Sequence, residues 1–493
     1  MPHGHARLRS ALLPLVLAAS AAACAAEAPS TQGLRRSPGS ELVRRMSFPP
    51  IQISVPRVGR EVDRRVLGNG IILYLAEDRS LPVLDVSTVF RAGSLHETAA
   101  RPGVAQFTAS QLRNGGTARR TAEALNEELE VLGASIEASA SAEAVSLSLS
   151  ALAKDSDRAL ELLSEAIRQP AFGEKSLQIF RGRVVEDLRR LADNPAQLLA
   201  REFTRTLYTE AHPLGRPLTP AQAEAIQAED LRDHYRRLIR PNNMLMAVVG
   251  DFHREEMAAR IQALFGDWPP GPLDLPSPPE VQPRFERGVY IIPRNLAQAS
   301  LALGHFGVNR FNPDRYAIEL MDAILGGGGF SSRIMDRIRT EEGLAYSVGT
   351  SFPTGTRDIS LFRATAQTKN ENVPRAVDAI LEEMHRMQRQ PVSQEELDRA
   401  KEAIINSFVF RFTSRFGVVM QLMMLEFNGY PSDYLDTLLD RYRAVTVADV
   451  QRVAREYLHP DASTILIIGD PTKFESAMRI FGPVHRLPVE SPG

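Results

Sequence analysis

IQAEDLRDHYRRLIRPNNMLMAVVGD, residues 226–251, and VTVADVQRVAREYLHPDASTILIIGD, residues 445–470, are two copies of one pattern. Pro241 and Pro460 lie 219 positions apart, as do Gly250 and Gly469, and no gap is needed between them. A second pair agrees: Arg158-Ala159-Leu160 matches Arg375-Ala376-Val377 at an offset of 217. The chain therefore reads as two copies of an α+β unit of roughly 200 residues, well inside the usual domain size. Between the copies, WPPGPLDLPSPPEVQP (268–283) holds seven prolines, which exclude helix and sheet interiors and favour an extended spacer. The expected organisation is a first domain over 59–267, a linker over 268–285, a second domain over 286–480 and a tail over 481–493.

Within the first unit, Asn69-Gly70 between two apolar runs signals a hairpin, and VLDVSTVFRAGS reads as a strand. Helical patterns follow at 104–113 and 120–132, then a strand pair over 134–152, a helix over 155–168 and long helices through 174–209.

In the second unit, LGGGGFSSRIMDRIRTEEGLAYSVGTS (325–351) stands apart. Its four glycines read as a turn, Ser331 or Ser332 as a cap, and RIMDRIRTEE as a helix with Ile334 and Ile338 four apart, stopped by Gly343. LAYSVGTS alternates as a strand, so Arg339 leaves the last helical turn and Tyr346 stands on the neighbouring strand. On spacing alone the simpler reading is structural: an Arg meeting the helix dipole and a Tyr packed in the core. The glycines are not a nucleotide loop, because no GK[ST] follows and the spacing is not GxGxxG.

Composition sets further bounds. Of 493 residues, 43% are hydrophobic and 24% charged, ordinary for a globular chain, and a net charge of −2 gives no basic field for nucleic acid. At the N-terminus, Arg7 and Arg9 precede the apolar run ALLPLVLAASAAA, which ends in small residues and reads as an export signal over 1–26. The single cysteine, Cys24, follows Ala21-Ala22-Ala23, where a lipoprotein signal places its acylated residue, although the usual Leu three positions earlier is absent. Cleavage after Ala23 with lipidation, and ordinary cleavage near Ala26, both stay open. Either implies an exported chain, periplasmic or lipid-anchored in the envelope, with a polar tether over 27–58. One cysteine also excludes an intramolecular disulfide and a Cys-based zinc site.

RAGSLHE (91–97), GVAQFTASQLRNGGT (103–117), the PNN/VVGD and PDA/IIGD repeats and GGFSSRIMDRIRTEEGLAYSV (328–348) together resemble the M16 family of pitrilysin, insulinase and mitochondrial processing peptidase, over about residues 60–475. The resemblance implies two homologous α+β domains of the LuxS/MPP-like metallohydrolase type, forming half of a clam shell completed by a second chain. Active members carry His-x-x-Glu-His on the first helix and a later Glu ligand. The matching positions here read Gln106, Ala109 and Ser110, with the later ligand at about Asp187 beside Glu186. An amide and a hydroxyl are poor zinc ligands, and Ala109 has no proton acceptor. None of the ten histidines forms an i, i+4 helical pair; His96, the nearest by sequence, reads as a solvated loop residue.

The Arg/Tyr signature of the second domain, by contrast, is present. In active relatives these residues hold the substrate backbone near the zinc, which implies substrate binding for Arg339 and Tyr346: a guanidinium fork donates to carbonyls and a phenol steadies an oxyanion. The expectation is a non-catalytic, bacterial M16B-type subunit, with no cofactor of its own, paired with a zinc-bearing M16 chain that has the intact motif and acting on peptides. The alternative is an inactive peptide-binding or structural envelope protein. An independent hydrolase finds no support, since no GxSxG, usable Cys or Ser-Lys pair stands out.

Overall fold

The two repeated segments become the central strands of two sheets. In the computed structural model, which describes residues 57–276 and 278–488, the first half runs β1 (Asp63–Val66), β2 (Ile72–Glu77), β3 (Val83–Phe90), α1 (Val104–Asn114), α2 (Ala122–Leu132), β4 (Ser135–Ala140), β5 (Val145–Leu152), α3 (Ser156–Arg168), α4 (Glu174–Arg190), α5 (Pro195–Tyr208), α6 (Ala228–Leu238), β6 (Met244–Gly250) and α7 (Arg254–Phe265). The second half runs β7 (Gly288–Pro293), β8 (Gln298–Phe306), α8 (Arg315–Asp322), β9 (Ala345–Ser351), β10 (Leu361–Lys369), α9 (Val373–Arg389), α10 (Gln394–Phe408), α11 (Arg415–Phe427), α12 (Tyr434–Ala444), α13 (Val447–Tyr457), β11 (Thr464–Gly469) and β12 (Val484–Arg486). The expected signal, Cys24 and all but the last two residues of the tether lie outside the described residues.

Sheet order is β1-β2-β6-β3-β5-β4 in the first half and β12-β7-β11-β8-β10-β9 in the second. The helices α6 and α13 begin and end 219 positions apart, at Ala228 and Val447 and at Leu238 and Tyr457. Each feeds a strand buried along its whole length, β6 or β11, which pairs parallel on one side and antiparallel on the other. A strand covered on both faces must be apolar at every position, which is why MLMAVVG and TILIIG do not alternate. The copies diverge at one edge. The Asn69-Gly70 hairpin supplies β1, pairing Val66 with Ile72, whereas β12 comes from the segment expected as a tail and pairs parallel with β7.

One face of the first sheet packs on its own helices, through Phe90, Phe107, Leu112, Leu160, Leu163 and Ile261 among others. Its other face is covered by the opposite half: Val418, Val419, Met423 and Phe427 of α11 lie against Tyr74, Ala76, Val89, Leu245, Ala247 and Val249. The exchange is reciprocal, since Leu199 and Phe203 of α5 pack on Ile292, Ala302, Leu466 and Ile468 of the second sheet. Polar contacts fix α11 in place. Arg64 donates twice to Glu426, at 2.7 and 2.6 Å, and Tyr74 donates to the same carboxylate. Arg91 of the RAGSLHE loop donates to the Phe427 carbonyl at 2.9 Å and lies 4.7 Å from that ring's centre.

The exchange gives a test. Phe203→Ala changes a residue of the first half, but the cavity it leaves opens beneath the second sheet, at a cost of about 3–5 kcal/mol. Hydrogen exchange is expected to quicken in β8 and β11 while β2 and β6 keep their protection. The reverse order contradicts the exchanged packing.

Candidate functional site

The helix that carries the degenerate motif is built as its sequence expects. Glu97 reaches forward to its N-terminus and accepts from the backbone N–H groups of Gly103 and Ala105, both at 2.8 Å, while burial pushes its carboxyl up to about 7. The RAGSLHE loop therefore serves both as a helix cap and, through Arg91, as a clamp on α11. His96 is not a solvated loop residue: Ser94–His96 forms a 3-10 turn and the imidazole is buried, which lowers its basicity. The apolar neighbours Ala92 and Leu95 carry this turn into the core along with it.

Helix α1 packs on α4, with Phe107 edge-on to Phe180 at 5.0 Å and Ser176 Oγ donating to Gln111 Oε1 at 2.8 Å. The two helices thus run antiparallel, and the Gln106 end of one lies toward the Asp187 end of the other. Gln106 is exposed, Ala109 is buried, and Ser110 is 8% exposed with no hydrogen-bond partner for its Oγ. Asp187 is exposed, and its neighbour Glu186 is held by Arg190 at 2.6 Å. A neutral amide, a methyl and a hydroxyl do not fit a zinc ion, which takes imidazole, thiolate and carboxylate ligands. Among the described residues no group of three or more His, Cys, Asp or Glu side chains is placed to hold a metal ion.

The glycine-rich segment is helical rather than a loop. Helix α8 widens into a π turn at Ala323–Gly327, passes through a 3-10 turn at Gly329–Ser331, and resumes at Arg333–Met335 before a second π stretch at Asp336–Glu341. Gly326 explains the small residues: a Cβ there would sit 2.5 Å from Thr350 Oγ1 and 2.7 Å from Thr350 N, so only glycine lets this segment press against β9. The contact is latched by Asp322, which accepts from Thr350 Oγ1 at 2.6 Å and from Phe352 N at 3.1 Å. Neither serine caps as expected. Ser332 sits at the N-cap but turns its hydroxyl back to donate to the Gly329 carbonyl at 2.6 Å. Gly343 does stop the helix, at φ +60°, and Leu344 N closes it by donating to Ile338 O at 2.8 Å, a reach set by the π turn.

Three arginines on this helix have different fates. Arg333 donates to both oxygens of Glu396 at 2.6 and 2.8 Å, and Arg337 binds Glu342, Glu382 and Glu383. These two, four positions apart with the buried Ile334 and Ile338, fasten the helix to the body. Arg339 has no carboxylate partner among the described residues. Its guanidinium instead lies between two rings, 4.9 Å from the centre of Phe330 and 4.7 Å from that of Tyr346.

Both rings face solvent, Phe330 80% exposed and Tyr346 79% exposed, so Tyr346 is not a core residue. Its position has a cause in the sheet. Opposite β10, Ser347 pairs with Gln367 and Ala345 with Thr368, which leaves Tyr346 as the extra residue of a bulge on the edge strand. A bulge re-aims a side chain, and here it turns Tyr346 outward to Arg339. Thr368 Oγ1 pins the start of β9 by donating to Leu344 O at 2.5 Å. Phe330 was not among the residues expected from sequence, although an aromatic directly after a glycine run, outside any helical period, was the available signal.

Two outcomes follow. The Arg333 fork holds the Glu396 carboxyl down to about 2, so its stabilisation is complete above its ordinary value near 4.5 and is lost as pH falls toward 2. Glu396→Gln is expected to lower stability by about 2 kcal/mol at pH 7 in urea titrations, with the difference from the unaltered chain shrinking below pH 4. Elemental analysis of the purified, desalted chain is expected to show no stoichiometric zinc; one tightly held ion per chain contradicts the reading of Gln106 and Ser110.

Comparison with known proteins bears on the family. Residues 74–221 match the family description Insulinase (Peptidase family M16), and residues 225–404 match Peptidase M16 inactive domain. The chain is 26% identical over 343 residues to an uncharacterized zinc protease of Rickettsia bellii (strain RML369-C), covering 69% of this chain and 81% of that one. It is 22% identical over 403 residues to the non-peptidase homolog YmxG of Helicobacter pylori, covering 80% and 91%. The crystal structure of a peptidase M16 inactive domain from Pseudomonas fluorescens matches at a TM-score of 0.75 and 27% identity, over 83% of this chain and 98% of that one. With two M16-type domains in the order of that fold, this chain belongs to peptidase family M16.

Proposed function

We propose that this chain is a non-catalytic M16 subunit that binds the peptide backbone through Arg339 and Tyr346 while a second M16 chain, with an intact His-x-x-Glu-His motif and zinc, supplies hydrolysis. The observation that carries this reading is the stacked guanidinium. Arg339 lies over two aromatic rings and meets no carboxylate among the described residues, so its N–H groups are available to donate to a carbonyl. The exposed Tyr346 hydroxyl can donate to an oxyanion as charge develops. The zinc-binding positions of this chain lack the donors for a metal, and the inactive-type family description of its second half supports a member that does not cleave alone. The export signal over residues 1–26 puts the pair in the envelope or periplasm, with Cys24 as the candidate lipid attachment.

The test uses a reconstituted pair. Arg339→Ala or Tyr346→Phe in this chain is expected to lower peptide hydrolysis by about 10²–10³, the loss typical of one preorganised donor, although the zinc-bearing chain is unaltered. Assembly by size exclusion is expected to persist, because neither side chain is buried in a core. A pair that assembles and still cleaves at full rate favours the alternative, a peptide-holding or structural envelope protein.

A further inference from the structure

Beside the first turns of α5, on the face of the second sheet that this helix covers, lies a groove of about 440 Å³, within the range of small-ligand pockets. Leu199 and Phe203 of α5 seal Ile292, Ala302, Leu466 and Ile468, whereas the strands toward the sheet edge present polar side chains to the same side. The register names them: Ile468 of β11 pairs with Ser300 of β8, Ser300 with Gln367 of β10, and Gln367 with Ser347 of β9, the residue after Tyr346. Ser300 shares a face with Ala302, two positions on. It is only 7% exposed, yet its hydroxyl makes no hydrogen bond among the described residues and stays open to the groove. Arg363, on the same face of β10 four positions before Gln367, is partly buried and lines the groove too. Among the described residues it has no hydrogen bond or ion pair, and no Asp or Glu lines the groove to neutralise it. The internal repeat indicates that folding does not require these two residues. Val249 and Ile468 are equivalent at the 219-residue offset, and Val249 pairs with Asp85 where Ile468 pairs with Ser300; carried on to β5, the place of Arg363 is taken by Ser146. The first sheet thus closes with an acid and a serine where the second has a hydroxyl and a cation.

We propose that this groove binds an extended peptide segment lying along β10, with a Glu or Asp side chain of the peptide on Arg363 and one of its backbone carbonyls accepting from Ser300 Oγ. Positions 363 and 367 stand about 13 Å apart at the rise of a strand, a span that roughly four residues of extended chain cover. A lone anion at Arg363 leaves Ser300, level with Gln367 at the far end, unmet. A carboxylate suits Arg363 because the planar guanidinium can donate to both of its oxygens. The choice of a peptide rests on the peptide-binding reading above; the requirement for a negative charge does not.

Fluorescence anisotropy on the purified full chain tests it with an eight-residue alanine-based peptide, blocked at both ends, carrying a neutral label and a single central Glu, set against its Gln twin. The Glu peptide is expected to bind at least about fivefold tighter, the effect of one well-placed ion pair. Arg363→Ser, the residue that the first sheet holds in that place, should bring the Glu peptide to the level of its twin, with an unchanged melting curve as the folding control. Ser300→Ala should weaken both peptides about threefold and keep their ratio. Equal binding of the twins, or a Glu preference that survives Arg363→Ser, overturns the proposal. Displacement by N-acetylglutamate amide as effective as by the unlabelled Glu peptide marks a small-anion site and overturns the extended mode. The Glu-to-Gln ratio is expected to survive Arg339→Ala; a ratio that falls to one in that variant puts the carboxylate on Arg339 and also overturns the assignment. Twins that bind equally and are both weakened by Arg339→Ala overturn this proposal alone and leave the reading above intact, whereas no binding of either twin overturns both.

Discussion

Each sheet of this protein has two apolar faces and only one helical layer of its own, so the second face must be kept from water by something else. The exchange of α5 and α11 between the halves meets that demand. Uncovering the six sheet side chains beneath α11 would cost on the order of 10 kcal/mol, comparable with the whole stability of a typical domain. The two halves therefore cannot swing apart along these faces, and the proline-rich connection is a strap across a fixed joint rather than a hinge. The same constraint explains why Arg64, Tyr74 and Arg91, spread over the first sheet and its following loop, all reach for the last turn of one helix from the second half.

What the sequence made legible was whatever repeats locally. The hairpin at Asn69-Gly70, the strands, the helices of the first half and the 219-residue offset each follow from side-chain period or turn chemistry, and the structure keeps all of them. The exchange was not legible, because an amphipathic helix records that it has an apolar face and not which sheet will cover it. Strand β12 was missed for a related reason: three residues carry too little alternation to be seen, and their pairing with β7 is set by the fold. His96 was misread since its loop is polar in composition, while the 3-10 turn that buries it depends on contacts distant in sequence.

At the candidate site, the type and spacing of Arg339 and Tyr346 were readable, but their geometry was not. The seven-residue interval describes a helix end and a strand; the bulge that turns Tyr346 outward depends on the register against β10. The π turns likewise depend on how closely Gly326 can approach Thr350. Such widened turns recur where a chain must place a side chain off the regular helical path, and here they bring Arg339 to the rim while Arg333 and Arg337 stay anchored.

The two halves have diverged in opposite directions from a shared plan. On α1, the positions that would hold a metal carry residues that satisfy a helix and little else, so the change is one that folding tolerates. Around Arg339 the reverse holds. A cation–π contact at an exposed site is worth about 0.5–1 kcal/mol, which does not offset leaving two aromatic rings largely in water. Folding alone gives no reason for Phe330 and Tyr346 to stand outside the core with an unpaired guanidinium between them. A ligand that covers the rings and accepts from the guanidinium removes both costs at once, and an extended peptide, apolar in its side chains and rich in carbonyls, has that chemistry.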